Sequence, residues 1–157
     1  MSYANYCALI DGLCRLVGIA DPGPLYARAE LTVNGEDCVL THGGEYNDDG
    51  IAVYCIFGEP PEEHAALIRQ KLLEANLTAM QPGGMRYALN PETDEVMLAG
   101  VVPMDELDPE RLLLLLARLA HGARNWRQHY FLGTEADAEP YAELSPLSRA
   151  ARTRRLS

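Results

Sequence analysis

From about Ala4 to Val17, apolar residues return every three or four positions, as Tyr6, Leu9, Ile10, Leu13, Leu16 and Val17. Asp11 and Arg15 stand four apart on the opposite side. This spacing predicts a helix, with Gly18 as its stop and Asp21-Pro22-Gly23-Pro24 as the loop that follows. The period then falls to two. Ala29, Leu31 and Val33 alternate with Arg28, Glu30 and Thr32, and Asn34-Gly35 signals a two-residue hairpin. The return strand, Glu36 to His42, puts Cys38 and Leu40 on one face and Val39 and Thr41 on the other. After the loop from Gly43 to Gly50, a third strand, Ile51 to Phe57, is apolar on both faces. Such a strand is central in a covered sheet, or its outer face meets a partner.

A second helix follows Pro60-Pro61 and runs to about Leu77. Its main face is Ala65, Ile68, Leu72 and Ala75. A second stripe, Ala66, Leu73 and Leu77, lies about 140° away, which predicts a helix held between its own sheet and something else. Gln81-Pro82-Gly83-Gly84 reads as a turn, Met85 to Leu89 as a strand, and Glu95 to Val102 as a further strand apolar on both faces. Asp108 and Pro109 open the last helix, as N-cap and first helical residue, and it runs to about Phe131. Inside it, the leucines from Leu112 to Leu116 cover every side. Leu112, Leu115, Leu116, Leu119, Ala123 and Trp126 make a core stripe, whereas Leu114 falls among Arg111, Arg118 and His121. From Gly133 onward no periodicity is sustained, so residues 1–132 read as one domain and 133–157 as a disordered tail. The order α-βββ-α-ββ-α predicts an α+β fold with an antiparallel five-stranded sheet and three helices.

Charge narrows the partners. The 157 residues carry a formal net charge of −10, and Lys71 is the single lysine. Nucleic acid and anionic membrane both need clustered cations, so neither is expected. Arg149, Arg152, Arg154 and Arg155 gather at the C-terminus, where they read as part of an unstructured tail. No run approaches the roughly 20 apolar residues of a membrane span, and the first residues lack a basic segment, so no secretory signal is expected. The four cysteines, Cys7, Cys14, Cys38 and Cys55, then read as reduced thiols inside apolar segments.

The chemical inventory is thin. No CxxC pair is present, and His42, His64, His121 and His129 do not complete a metal site. Ser2, Ser145, Ser148 and Ser157 all lie at or beyond the ends of the domain. His42-Gly43-Gly44 has no GxSxG to accompany it, and Lys71 follows no phosphate loop. Glu45 with Asp48-Asp49 lacks the twelve-residue calcium pattern and reads as a solvated turn. Cys55, between Tyr54 and Ile56, reads as a buried inert thiol. No catalytic residue, cofactor or metal is expected. The surplus of apolar faces instead suggests an oligomer or a binder of extended peptide, although three helices could also cover those faces within one chain.

In its element order, its acidity and its local wording, the chain resembles the class I type III secretion chaperones, the Tir-chaperone-like family of Gram-negative bacteria. The wording is the loop Asn90-Pro91-Glu92-Thr93-Asp94 before a strand ending Val101-Val102-Pro103, then a helix with Leu112-Leu113 and a late Trp126-Arg127. The resemblance spans about residues 4 to 131 and leaves the tail without a role. It implies a cytoplasmic, non-enzymatic homodimer that holds the extended N-terminal region of a secreted effector and keeps it soluble and secretion-competent. It places the dimer on Ala66, Leu73 and Leu77 with Met97, Ala99 and Val101. It places the effector on Leu13, Val17, Leu31 and Val33, with Val39 nearby. A regulatory or scaffold domain of related fold that binds a folded protein is the second reading. A small-molecule enzyme using Cys55 or the Glu45–Asp49 loop is the third.

Overall fold

Asn34 and Gly35 both take positive φ, 52° and 85°, the geometry a two-residue hairpin needs to match the twist of its strands. They join β1 (Ala29–Val33) to β2 (Glu36–His42). The computed structural model describes residues 3–43, 49–78 and 84–133. Around the hairpin lie α1 (Tyr3–Val17), β3 (Gly50–Gly58), α2 (Ala65–Thr78), β4 (Arg86–Leu89), β5 (Val96–Pro103) and α3 (Pro109–His129). The five strands form one sheet in the order β1-β2-β3-β5-β4, with every pair antiparallel. This is the α+β architecture that the periodicity predicts.

The register sorts the side chains. Leu31 pairs with Cys38, Cys38 with Cys55, and Cys55 with Leu98, so one row crosses four strands on a single face. Cys38, Leu40, Ile51, Val53, Cys55, Phe57 and Leu98 on that face are fully buried. Against them lie Tyr6, Ile10 and Leu13 of α1 and the stripe Leu112, Leu116, Leu119, Ala123 and Trp126 of α3. The core is therefore the inner face of the sheet beneath α1 and α3. Gly12 lets the two helices approach, because a Cβ there would overlap the Pro109 ring.

α3 is fixed at both ends. The Asp108 carboxylate accepts from the Arg111 N–H at 2.8 Å, as an N-cap should. Near the other end the Arg127 guanidinium pairs with Glu36, a buried carboxylate at the start of β2, and donates to the Phe57 carbonyl at 2.9 Å. Arg124 donates to the Asn34 carbonyl at the hairpin tip. The helix stops at His129, two residues earlier than its apolar pattern suggests, because Tyr130 and Phe131 turn to φ 51° and 58°.

α2 starts at Ala65 after a single 3-10 turn, Glu62–His64. Its main stripe enters the core through Ile68 and Leu72, while Leu73 and Leu77 remain 71% and 69% exposed. Leu114 of α3 is exposed as well, at 52%. The doubly apolar β3 is the middle strand. Its outer face is graded, with Ala52 buried, Ile56 half-buried and Tyr54 exposed. Most of the loop with Glu45 and Asp48, most of the turn at Gln81–Gly84, and the tail beyond Gly133 lie outside the described residues.

Candidate functional site

The two edges of the sheet are treated differently. On β4, the Tyr87 N–H donates to the Asn76 side-chain oxygen at 2.7 Å, and the Asn76 amide donates to the Tyr87 carbonyl at 2.9 Å. The asparagine of α2 thus occupies the place of a neighbouring strand. On β1, no strand among the described residues pairs with the outer edge. In a two-residue hairpin the residues flanking the turn exchange both bonds. Val33, Leu31 and Ala29 therefore spend their backbone groups on β2. Glu30 and Thr32 point theirs outward.

Beside that edge is a groove of about 290 Å³ between β1, the end of α1 and the first turns of α3. Leu13 and Val17 line it from α1, Leu31 and Val33 from β1, and Leu113 and Leu116 from α3. Gly18 shapes its end. At φ 79° it closes α1 with a bond from the Ile19 N–H to the Cys14 carbonyl at 2.9 Å, which turns Ile19 back into the groove wall. Glu30 is the one charged residue of the lining.

Four of the five residues that the resemblance assigns to the effector thus meet at one place: Leu13, Val17, Leu31 and Val33. Leu13 is 1% exposed and forms the floor, whereas Val17 is 44% exposed and forms the rim. Val39 is not brought to the groove. It lies on the opposite face of β2, in register between Glu30 and Tyr54, and is itself buried. Ile19, Leu113 and Leu116 are additions to the list. For Ile19 a local signal exists, an apolar residue directly after a helix-ending glycine. Leu116 reads from the sequence as part of the core stripe of α3, and Leu113 stands beside it in the leucine run without an assigned face.

The residues assigned to a dimer form two sets at the β4 end of the sheet. Ala66, Leu73 and Leu77 lie on the solvent side of α2. Met97 and Ala99 are half-buried and Val101 is exposed, all on the outer face of β5, where they pair with Ile56, Tyr54 and Ala52 of β3.

The cysteines are the remaining candidates for reactive chemistry among the described residues. Cys38 and Cys55 face each other across β2 and β3, both fully buried. The Cys55 S–H donates to Cys38, and this bond, then burial, pushes the Cys55 thiol far up, so that it stays protonated. Burial likewise raises Cys14. Among the described residues no group of His, Cys, Asp and Glu could hold a metal ion, and no helix is long and apolar enough to cross a membrane.

Comparison with known proteins agrees with this fold. The chain is similar in fold to the solved HopA1–SchA chaperone–effector complex, with a TM-score of 0.62 and 18% identity over 80% of this chain and 95% of that one. It is similar also to the ExoT–SpcS complex from Pseudomonas aeruginosa, with a TM-score of 0.54 and 21% identity over 76% and 95%. The ExsC–ExsE complex gives 0.57 and 14% over 82% and 96%. No curated protein sequence matches. The sequence profile of the Tir chaperone protein (CesT) family matches residues 9–127. With most of its length inside that match, the chain belongs to the Tir chaperone protein (CesT) family.

Proposed function

We propose that this protein is a type III secretion chaperone that works in the bacterial cytoplasm. It binds the extended N-terminal region of a secreted effector and keeps that region soluble and competent for secretion, without catalysis. Family membership supports the class of activity, as do fold neighbours solved as chaperone–effector complexes. The observation that carries the reading is the edge of β1, unpaired among the described residues, beside an apolar groove. An added strand takes its backbone bonds from Glu30 and Thr32, and these carry little sequence information. Its alternate side chains enter the groove against Val17, Leu31 and Val33, where each large apolar residue buried contributes about 1.5–3 kcal/mol. Affinity is shared between the two, and side-chain fit selects the effector.

The active form is a homodimer. Leu73 and Leu77 of α2, more than two-thirds exposed, with Ala66 and the outer face of β5 (Met97, Ala99, Val101), form the self-complementary surface. Exposed leucines of this kind cost solubility unless a partner covers them.

The test is co-expression with the N-terminal region of a secreted effector encoded beside this chain. The expected complex contains two copies of the 17.3 kDa chain and protects the effector segment from protease while that segment is unfolded. Binding only to folded proteins, with no protection of an unfolded segment, would establish the scaffold reading in its place.

A further inference from the structure

We infer that the segment held beside β1 carries a lysine or arginine opposite Glu30, flanked on both sides by apolar residues. This rests on β1 being a strand-accepting edge, and it adds the chemistry of the occupant.

Glu30 is the one charged residue beside the groove, whose other lining residues are apolar except Thr32. It belongs to the outer face of β1, whereas Leu31 and Val33 belong to the inner face, so the residue pairing with Glu30 sits between two residues directed inward. The inward positions meet Leu31, Val17 and Leu113 and must be apolar. The outward position meets carboxylates. Glu30 contacts Arg28 at 2.7 Å, with both side chains more than half exposed. An exposed pair of this kind contributes little and is readily exchanged for another. One strand further in, Asp37 lies on the same face and accepts from the Thr32 hydroxyl at 3.0 Å. An acidic residue at the outward position is repelled by Glu30 and Asp37 and by a chain of net charge −10. A basic one completes a cross-strand pair at the open edge.

The test uses the full-length protein and fluorescent twelve-residue peptides in which leucine alternates with serine, the central serine being lysine, glutamine or glutamate. Binding is followed by anisotropy at about 0.02 M and about 0.3 M salt. The expected order of affinity is lysine, glutamine, glutamate, with roughly a tenfold spread at low salt that contracts at high salt. Glu30→Lys, an exposed edge substitution that leaves the core untouched, reverses the order. Equal binding of the lysine and glutamate peptides overturns the inference, whether the groove lacks charge selection or is taken by a second copy or by the chain's own segment from Arg149 to Arg155. Val17→Asp separates the two levels of the argument. If it abolishes binding of all three peptides while wild type binds them equally, the groove stands and the charge selection falls. If binding of all three is unchanged in Val17→Asp, the groove itself is wrong.

Discussion

The β4 edge and the β1 edge belong to one sheet and meet the same hazard, a row of unpaired backbone groups that invites another chain. The β4 edge is closed from within. α2 lies along it, buries Ile68 and Leu72, and turns the Asn76 amide so that both its donor and its acceptor engage Tyr87. Among the described residues the β1 edge is left open, beside a groove whose walls come from three elements. Closure is thus within the reach of this fold and is applied at one end only. An edge left open next to an apolar groove behaves as a receptor for a strand. The closed end instead places its apolar surplus on side chains, Leu73 and Leu77, which suits side-chain packing against a second copy.

The largest effect should come from charging the open end. Val17→Asp puts a carboxylate on the groove rim, where a bound apolar side chain would desolvate it at a cost of about 1–3 kcal/mol, and it removes a valine contact as well. Effector affinity should fall roughly a hundredfold. The free protein should melt almost unchanged, because Val17 is 44% exposed. Titration calorimetry with a co-purified effector segment measures the first and a thermal melt the second. An affinity within threefold of wild type would place the effector elsewhere. Leu73→Glu applies the same logic to the closed end. It should convert dimer to monomer in light scattering while leaving the monomer folded, since the side chain is 71% exposed. An unchanged mass would remove α2 from the interface.

Asn76→Ala tests whether the closed edge is closed by that one side chain. The substitution leaves the Tyr87 N–H and carbonyl without their partner, at a cost of about 1–3 kcal/mol. The melting temperature should drop by roughly 3–10 °C. Asn76→Asp, which keeps the acceptor for the Tyr87 N–H and loses the donor, should fall between. If neither moves the melting point, packing of Ile68 and Leu72 closes the edge and the amide is incidental.

The two edges also differ in how far the sequence discloses them. Strand alternation, Asn34-Gly35, and the two stripes of α2 are local signals, so β1, β2 and the inner and outer leucines of α2 could be read directly. So could the exposure of Leu114. The groove is only half legible. Leu13, Val17, Leu31 and Val33 meet because α1 and β1 converge, which the family pattern implies. Leu113 and Leu116 join them only through the way α3 crosses the sheet, and no period in the sequence encodes a crossing. Val39 misses the groove by parity: one residue along a strand changes the face. Asn76 is the least legible of all. A helix interior gives no sign that an asparagine amide will bond to a strand edge, and its partner Tyr87 lies beyond a turn.

The smallest expected effect separates the two ends by pH. Two tyrosines tie α1 to the β1 side. The Tyr6 hydroxyl donates to the Leu40 carbonyl of β2 at 3.3 Å, and burial above all pushes its pKa up to about 12. Tyr26, in the turn before β1, donates to the Asp11 carboxylate of α1 at 2.5 Å, and that bond pushes its pKa up to about 12 as well. A raised folded pKa means that the fold favours the neutral phenol. The contribution is complete below the unfolded value of about 10 and is lost as pH rises through 12. Amide exchange measured above pH 10 and corrected for its intrinsic rate should therefore quicken in α1 and β1 before β5 and β4, and Tyr26→Phe should reduce that difference. Parallel acceleration at both ends would mean that the sheet opens as one cooperative unit. The readiness of β1 to accept a strand would then come from its unpaired backbone alone, with no contribution from local looseness.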